Sequence, residues 1–197
     1  MQICKFKKMK KIAILASGSG TNAENLIQYF RTRPAERVEI VLTNRPGAGV
    51  LGRAEALNVE TVVFNRELFY EGTEIVDLLK EREIDLVVLA GFLWLVPSGL
   101  IDAFEGRIIN IHPALLPKYG GKGMYGSRVH EAVIESGDAE SGITIHYVNR
   151  QYDDGSIIFQ AKCKVMERDT PEDLAARIHE LEYEHFPRVV EQLLDQF

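Results

Sequence analysis

The sequence contains little cysteine and no long apolar run, and both absences narrow its possible functions. Its two cysteines, Cys4 and Cys163, lie far apart, and their spacing matches neither a disulfide framework nor a metal site. No stretch approaches the ~18 consecutive apolar residues of a membrane-spanning helix. Residues 1–10 form a segment rich in lysine, and the apolar run that follows it, 12–16, is too short for the core of a signal peptide. We therefore expect a cytoplasmic protein that has no metal and no membrane partner.

The charge balance argues against nucleic acid as a partner. The chain has 23 lysine and arginine residues against 29 acidic ones, and no basic stripe follows the first residues. Nucleic-acid binding draws on clustered basic side chains that neutralise phosphates, so we expect small-molecule substrates instead. A length of 197 residues suits one domain with a sizeable core. We predict a single domain at 10–197, preceded by a loose tail at 1–9.

Short β-branched runs alternate with amphipathic stretches through the first half of the chain. Ala23, Leu26, Ile27 and Phe30, for example, recur at helical spacing. Alternating strands and helices predict right-handed crossovers and a parallel sheet covered on both faces. The predicted strands are 11–16, 38–43, 61–64, 85–90 and 107–112, and the predicted helices are 22–31, a segment around 50–57, 67–82 and 97–104.

The pattern changes after Pro113. Residues 113–126 read as a long loop and 127–135 as a helix, whereas 142–148 and 157–165 alternate and predict a hairpin. A final helix opens at Thr170-Pro171. The sequence therefore predicts an α/β, Rossmann-like three-layer fold, whose mixed sheet is parallel in the N-terminal half and antiparallel at the C-terminal end.

A glycine-rich turn separates the first predicted strand from the first predicted helix. Residues 17–23 read Ser-Gly-Ser-Gly-Thr-Asn-Ala, and such a turn lets the backbone approach an anion at the helix N-terminus. The alternative is a tight turn without a ligand. A dinucleotide site would want a carboxylate about 20 residues further on, but 42–45 read Leu-Thr-Asn-Arg. We therefore favour a monophosphate. Gly121-Lys122 precedes glycine, not serine or threonine, which excludes a Walker loop.

Two polar residues lie at the end of the fifth predicted strand. Asn110 and His112 point to the same face, and Pro113 ends the strand. An amide donor beside an imidazole suits a carbonyl that becomes a tetrahedral oxyanion, although local hydrogen bonds are the alternative. No serine or cysteine lies in a nucleophile elbow, which argues against a covalent acyl-enzyme. Either Asp153 or Asp154 is a candidate to orient the histidine, but Asp-Asp-Gly is also ordinary turn chemistry.

Taken together, these segments resemble the folate-dependent formyltransferases over residues 11–194. Asn-Ile-His-Pro-Ala-Leu-Leu-Pro-Lys-Tyr at 110–119 is specific to that superfamily, and Val-Val-Leu-Ala-Gly-Phe at 87–92 also matches. The turn at 17–22 narrows the resemblance to the phosphoribosylglycinamide formyltransferases. Trp94 departs from the arginine of many relatives, Tyr183 from a common histidine, and residues 120–126 from a shorter loop. These departures concern specificity contacts more than the chemistry.

The resemblance implies a set of site residues. The implied catalytic residues are Asn110, His112 and Asp153. The implied substrate-binding residues are Gly20, Thr21 and Asn22 for a phosphate, and Glu182 with His179 for a glycinamide group. The implied folate-binding residues are Arg66, Leu93, Trp94, Leu95, Val96, Asn110 and Tyr152. The remaining histidines, His130, His146 and His185, are interpreted as structural.

The resemblance also implies a reaction. An enzyme of this kind carries the formyl group of 10-formyltetrahydrofolate, a co-substrate, to the amine of 5-phosphoribosylglycinamide in purine biosynthesis, without a metal. It is expected to be a monomer or a weak homodimer. The alternatives are a formyltransferase for methionyl-tRNA or a nucleotide sugar, a formyltetrahydrofolate hydrolase, a non-catalytic nucleotide-binding module and, least supported, a nicotinamide dehydrogenase.

Overall fold

A computed structural model of the chain describes residues 8–197. Most of the predicted loose tail, as well as Cys4, therefore lies outside the described residues. The strands are β1 (Lys10–Leu15), β2 (Glu36–Thr43), β3 (Glu60–Val63), β4 (Leu86–Leu89), β5 (Ile108–His112), β6 (Glu140–Tyr147) and β7 (Ile157–Lys164). The helices are α1 (Thr21–Phe30), α2 (Gly49–Ala56), α3 (Arg66–Tyr70), α4 (Glu74–Glu81), α5 (Ser98–Ala103), α6 (Ser127–Ser136) and α7 (Pro171–Leu194).

The strands form one seven-stranded mixed sheet in the order β3-β2-β1-β4-β5-β6-β7. The first five of these strands are mutually parallel, whereas β6 runs antiparallel to β5 and β7 runs antiparallel to β6. The prediction of a sheet that is parallel first and antiparallel at its end is confirmed. Within residues 8–197, no helix combines the length and the apolar character that crossing a bilayer requires.

Two apolar layers cover the sheet because successive strand side chains point to opposite faces. Ile12 and Ile14 of β1 face one cluster, which also contains buried residues of α1, α2, α6 and α7. Ala13 and Leu15 face the other cluster, which α3, α4 and α5 complete. Burial on both faces explains why the central strands are uniformly apolar. The result is the predicted three-layer arrangement.

The single helix predicted at 67–82 is wrong in one respect, because the structure has two helices there, α3 and α4. The side chain of Asn65 caps α3 by accepting a hydrogen bond from the backbone N–H of Leu68 at 2.9 Å. Gly72 lies in the break between the helices, and Thr73 is the N-cap of α4. Glycine and threonine both favour non-helical backbone over a helix interior, so the apolar period continues although the helix does not.

The last helix, α7, is 24 residues long and begins as the sequence predicts. The hydroxyl of Thr170 accepts from the backbone N–H of Asp173, and the carboxylate of Asp173 accepts from the backbone N–H of Thr170. This reciprocal pair satisfies two backbone donors at the helix start, and Pro171 needs none. The helix packs against α1 and α6, and it brings His179 and Glu182 to the side of the sheet on which α1 begins.

Candidate active site

A cavity of about 720 Å³ lies at the carboxyl end of the parallel strands. Strands β1 and β4 are neighbours, but β1 continues into α1 on one face of the sheet and β4 leads towards α5 on the other. The two chain directions diverge, which opens a crevice of the kind that binds ligands in α/β proteins. The walls of the cavity are the glycine-rich turn, the ends of β4 and β5, residues 121–128, the loop before β7, and α7.

The glycine-rich turn forms one end of the cavity, and its backbone requires glycine at position 20. Gly20 has a φ of 80°, and a Cβ atom there would lie 2.5 Å from the Cβ of Val50. The N-cap of α1 has no side-chain hydrogen bond. The backbone N–H groups of Thr21, Asn22 and Ala23 open the helix, and an uncapped helix N-terminus favours an anion. The turn can therefore accept a phosphate through its backbone.

Ser17 ties the turn to its neighbours, a role that the sequence did not reveal. It is 1% exposed, and its hydroxyl donates to Oδ1 of Asn44 at 2.7 Å. The hydroxyl oxygen of Ser17 also accepts from the backbone N–H of Leu93 at 3.0 Å, and the backbone N–H of Ser17 donates to the carbonyl of Gly91. These bonds hold the loop after β4 against the ends of β1 and β2. The only signal in the sequence was the position of this serine at the start of the turn.

The structure brings Asn110, His112 and Asp153 together at the centre of the cavity wall. Nδ2 of Asn110 donates to Oδ1 of Asp153 at 3.3 Å, and Nδ1 of His112 lies 3.6 Å from Oδ2 of Asp153. Asp154, the other candidate carboxylate, instead accepts from Asn149 on the surface. Of the two aspartates that the sequence left as alternatives, Asp153 therefore lies beside His112 and Asp154 does not.

His112 has a fixed tautomer. Its Nε2 lies 2.7 Å from the carbonyl oxygen of Tyr119, which can only accept, so Nε2 carries a proton. The remaining nitrogen, Nδ1, faces Asp153. Burial lowers the pKa of His112 below its ordinary value, although the charge of Asp153 opposes this shift. Asp153 therefore raises the proton affinity of His112, but burial outweighs this effect and the free protein favours a neutral His112.

Asp153 stays ionised beside these groups. It lies at a φ of 52°, and its Oδ2 accepts from the backbone N–H of Gly121 at 2.9 Å. Burial alone would raise the pKa of Asp153, but its contacts with His146 and His112 and the Gly121 hydrogen bond together lower it. The carboxylate is thus a permanent negative charge in the cavity wall.

His146, interpreted from the sequence as structural, belongs to this cluster. It is 2% exposed, and the sheet register pairs it with Asn110. Its Nδ1 donates to the carbonyl of Tyr147 at 2.8 Å, so Nε2 is free to accept from Nδ2 of Asn110 at 3.1 Å. The same Nε2 lies 3.6 Å from Oδ1 of Asp153. The signal available in the sequence was a histidine within the alternating pattern of β6, the strand next to β5.

A second polar group connects the glycine-rich turn to α7. Oε2 of the buried Glu182 accepts from Nδ2 of Asn22 at 2.8 Å and pairs with Nδ1 of His179 at 2.8 Å. The carboxylate thereby fixes the orientation of the Asn22 amide. The hydrogen bond to Glu182 raises the pKa of His179 against the opposing effect of burial. Tyr183, one of the departures from the family pattern, stacks on His179 with ring centroids 5.9 Å apart.

The residues implied for the folate do not all line the cavity. Leu93, Asn110 and Tyr152 do, together with Phe92. The side chain of Val96 is buried in the second apolar cluster instead, and the carbonyl of Leu95 accepts from the hydroxyl of Tyr70 at 2.9 Å. The guanidinium of Arg66 lies 4.9 Å from the ring centroid of Tyr70 and 5.7 Å from that of Trp94. Tyr70, Trp94 and Phe92 form an aromatic shelf, of which Phe92 also lines the cavity.

Several cavity residues were not identified from the sequence. The main ones are Ser17, Arg45, Lys122, Tyr125, Arg128, His130 and Glu172. Most belong to the loop 120–126 or to helix starts, where the sequence carries no periodic pattern that predicts which way a side chain points. Within residues 8–197, no group of three or more His, Cys, Asp or Glu side chains has an arrangement suited to a metal ion.

Comparison with known proteins gives a consistent result. A family model described as formyl transferase matches residues 10–190. The phosphoribosylglycinamide formyltransferase of Haemophilus influenzae is 39% identical over 188 residues, which cover 92% of this chain and 86% of that protein. The chloroplastic phosphoribosylglycinamide formyltransferase of Arabidopsis thaliana is 38% identical over 195 residues, which cover 96% of this chain and 67% of that protein. The chain spans 62% of the chloroplastic relative from Vigna unguiculata.

A solved structure is similar over most of its length. The phosphoribosylglycinamide formyltransferase of Streptococcus pneumoniae superposes with a TM-score of 0.83 at 39% sequence identity. The match covers 94% of this chain and 99% of that one. The similarity therefore extends over the sheet, the cavity and α7, not over the glycine-rich turn alone.

Proposed function

The chain belongs to the formyl transferase family, and on this premise we propose that it transfers the formyl group of 10-formyltetrahydrofolate to the amine of 5-phosphoribosylglycinamide. The observation that carries the proposal is the convergence of Asn110, His112 and Asp153 on one cavity that also contains an anion-binding helix start. The similar proteins from Haemophilus influenzae and Streptococcus pneumoniae are phosphoribosylglycinamide formyltransferases, which supports the same reaction.

The proposed reaction is a direct transfer between two bound substrates. The amine nitrogen attacks the formyl carbon and forms a tetrahedral intermediate with a negative oxygen. The bond from the formyl carbon to N10 of the folate then breaks, the amine loses one proton, and N10 gains one. A protein nucleophile is not required, which agrees with a cavity whose central polar groups are an amide, an imidazole and a carboxylate.

In this mechanism His112 is the proton acceptor. Its Nε2–H is committed to the carbonyl of Tyr119, so the amine's proton arrives at Nδ1. The resulting imidazolium faces the ionised Asp153 at 3.6 Å, which stabilises the charge as it forms. The burial that keeps His112 neutral beforehand preserves it as a base.

Asn110 is the donor to the developing negative oxygen. Both hydrogens of its amide nitrogen have acceptors in the free protein, Nε2 of His146 at 3.1 Å and Oδ1 of Asp153 at 3.3 Å. The bond to Asp153 is the longer of the two, so we assign that hydrogen to the oxyanion. A donor held in place before the reaction is the arrangement that stabilises such charge most.

The acceptor substrate fits the other end of the cavity. Its phosphate would meet the backbone N–H groups of Thr21 and Asn22 at the start of α1, with the glycine at position 20 allowing close approach. His179, whose pKa is raised by Glu182, supplies positive charge nearby. Glu182 then lies between the phosphate-binding start of α1 and the proposed catalytic residues. The sugar and glycinamide portions of the substrate belong there.

The formyl donor fits the side of the cavity next to β4. Phe92 and Leu93 offer an apolar wall for a flat pterin, and Tyr152 lies opposite on the loop before β7. The aromatic shelf leads from there to Arg66, an exposed cation that suits a carboxylate at the far end of the folate. Trp94 contributes to this shelf in place of a second basic residue.

The wider assignments belong to the same proposal. The reaction requires no metal, and both substrates are small molecules. We further propose that the protein works in the cytoplasm as a monomer or weak homodimer and has no nucleic-acid partner, which its net charge of −6 supports.

A steady-state assay tests the proposal. Purified protein is mixed with 10-formyltetrahydrofolate and glycinamide ribonucleotide, and formylated product is quantified by mass spectrometry alongside released formate. We expect product to form, and His112→Ala to reduce kcat by about 100-fold or more without a change in the circular dichroism spectrum. Arg188→Ala, on the exposed face of α7, is the matched control and keeps wild-type activity.

The assay also separates the rival functions. Formate released at the same rate without the amine would support a hydrolase. Formyl transfer to methionyl-tRNA or to an amino sugar nucleotide, but not to glycinamide ribonucleotide, would support another acceptor. Binding of a phosphorylated ligand without any turnover would support a non-catalytic module.

A further inference from the structure

Three consecutive residues of the loop after β5 contact both His112 and Asp153. The carbonyl of Tyr119 accepts from Nε2 of His112 at 2.7 Å, and the backbone N–H of Gly121 donates to Oδ2 of Asp153 at 2.9 Å. Gly120, between them, packs so closely that an added Cβ atom would lie 3.2 Å from Cβ of Asp153. A displacement of this loop would therefore move the partners of His112 and of Asp153 together.

The backbone of Tyr119 has a conformation that a residue with a side chain rarely adopts. Its φ is 58°, in the left-handed region. A residue stays in such a conformation only where the surrounding contacts hold it there, and positions of this kind concentrate at active sites. The hydrogen bond to His112 is what the conformation makes possible, so its support has to come from another contact.

The phenol of Tyr119 supplies this contact at the end of α6. Its hydroxyl donates to Oδ2 of Asp138 at 2.8 Å and lies 2.5 Å from the hydroxyl of Ser136, the last residue of α6. Nζ of Lys118 donates to both carboxylate oxygens of Asp138, at 3.1 and 2.9 Å. The hydrogen bonds from Lys118 and Tyr119 lower the pKa of Asp138, so the acceptor is an ionised carboxylate. Within the described part of the chain, this anchor lies outside the residues that line the cavity.

The carbonyl of Tyr119 selects between two neutral forms of His112. With the proton on Nε2, the ring donates to Tyr119 and presents Nδ1 without a proton to Asp153, as the proposed mechanism requires. With the proton on Nδ1, the ring would instead donate to the ionised carboxylate, and a charge-assisted bond of this kind is stronger than an ordinary one. That second form has no lone pair at the nitrogen where the amine's proton arrives. A carbonyl held firmly at Nε2 therefore keeps the ring in the productive form.

We propose that Tyr119 is a positioning residue, whose phenol, bonded to Asp138, holds the backbone carbonyl that keeps the proton of His112 on Nε2. Asp138 thereby acts on His112 through Tyr119, from outside the cavity. This inference rests on the proposed function for the role of His112 as a base. The position of the proton, however, is a property of the free protein and can be measured without any substrate.

Nitrogen-15 NMR of the substrate-free protein tests this directly. Protein labelled at histidine is measured above the ordinary histidine pKa of about 6.5, where the ring is neutral, and two-bond correlations show which ring nitrogen carries the proton. The signals of His112 are those that His112→Gln removes. We expect the Nε2–H form in wild-type protein and mainly the Nδ1–H form in Tyr119→Phe. A Tyr119→Phe protein that retains the wild-type form overturns the inference, whether or not the protein is active.

Steady-state kinetics separate positioning from a purely structural role. Tyr119→Phe should lower kcat about 10-fold and change KM for either substrate by less than about twofold, because the substrate contacts remain while the base carries its proton on the wrong nitrogen. Asp138→Ala should have the same effect, and Asp138→Asn, which keeps an acceptor oxygen, should recover most of the rate. Asp138→Ala should add little to Tyr119→Phe, since both changes remove one bond. Additive losses, or an effect on KM alone, would overturn the assignment.

Lys118→Met is the matched control, because it removes the ion pair on the same carboxylate and leaves the phenol bond in place. It should keep the wild-type form of His112 and the wild-type rate, and an equal loss in this variant would overturn the role of the phenol. The two measurements also distinguish this inference from the proposed function. A proton position that depends on Tyr119, in a protein without formyl transfer, would retain the anchor and reject the transferase. Formyl transfer with a proton position indifferent to Tyr119→Phe would do the reverse.

Discussion

At the scale of single residues, two backbone carbonyls determine which nitrogens of His112 and His146 face the proposed catalytic residues. The carbonyl of Tyr119 takes the Nε2 proton of His112, and the carbonyl of Tyr147 takes the Nδ1 proton of His146. The two rings therefore present different nitrogens to the Asp153 carboxylate, Nδ1 of His112 and Nε2 of His146, each at 3.6 Å. Nδ1 of His112 is available as a base, and Nε2 of His146 accepts from the Asn110 amide. We therefore regard His146 as a positioning residue.

His146→Leu should lower kcat by about 10–100-fold while KM changes little, because the Asn110 amide loses the acceptor that orients it. Steady-state kinetics with both substrates measure the split. His146→Gln, whose side-chain oxygen can accept in place of Nε2, should recover part of kcat. An effect confined to KM, or a rate unchanged in the folded leucine variant, would show that Asn110 needs no such support.

Asp153→Asn should change both the rate and its pH dependence. His112 works as a base in its neutral form, so kcat/KM falls as the pH drops through a pKa that burial places below 6.5. The Asp153 charge raises that pKa, and removing it should move the acidic limb to lower pH and reduce the plateau about 100-fold or more. Rate profiles of both proteins over the same buffer series are the measurement. A limb that stays in place or moves to higher pH would contradict the proposed coupling.

The sequence predicted some of these residues better than others. Asn110 and His112 could be predicted because they alternate at the end of an apolar strand that Pro113 terminates. His146 was not, since its role depends on the register that pairs it with Asn110 across β5 and β6. His130 lies on α6, and its position on a helix does not by itself reveal that it lines the cavity.

At the scale of elements, the glycine-rich turn works through its fit against α2. The positive φ of Gly20 and the nearness of Val50 both exclude a side chain there, whereas a Cβ on Gly18 would meet nothing within 4 Å. The turn thus contains one glycine that the packing requires and one that it does not. This contrast provides a matched pair of variants.

Gly20→Ala should destabilise the protein by about 1–3 kcal/mol and raise KM for the phosphorylated amine, because the turn must shift away from Val50. Gly18→Ala should leave both quantities close to wild type. Chemical denaturation and steady-state kinetics measure the two effects. Equal behaviour of the two variants would mean that the turn tolerates displacement and that its geometry does not hold the phosphate.

Helix boundaries show where periodicity succeeds and where it fails. The start of α7 was predicted from Thr170, Pro171 and Asp173 because capping chemistry is local. The division of 67–82 into α3 and α4 was not predicted, because the apolar period continues across Gly72. The residues that the resemblance implied for the folate illustrate a further limit, since the loop after β4 buries Val96 in the core and has no repeating pattern.

At the scale of the whole molecule, the cavity is assembled from distant parts of the chain. Asn22 follows β1, His112 ends β5, Asp153 precedes β7 and Glu182 lies on α7. The fold class could be predicted because alternating strands and helices leave few topologies. The order of the strands, which creates the crevice beside β1, could not, because pairing between distant segments leaves no local signal in the sequence.

Phe186→Ala tests whether the docking of α7 supports the distant site. Phe186 is fully buried against the sheet, so its truncation should cost about 3–5 kcal/mol of unfolding free energy. It should also raise KM for the phosphorylated amine, since Glu182 lies one turn away on the same helix. Denaturation monitored by circular dichroism, together with kinetics below the melting temperature, measures both. A destabilised protein with unchanged KM would show that Glu182 is held by Asn22 and His179 alone.

The fate of the formyl group tests the central claim most directly. In a single reaction with limiting 10-formyltetrahydrofolate and excess glycinamide ribonucleotide, the account predicts one formylated amine for each folate consumed and formate only at the level of an enzyme-free control. Folate consumption matched by free formate, with the amine left unmodified, would contradict it.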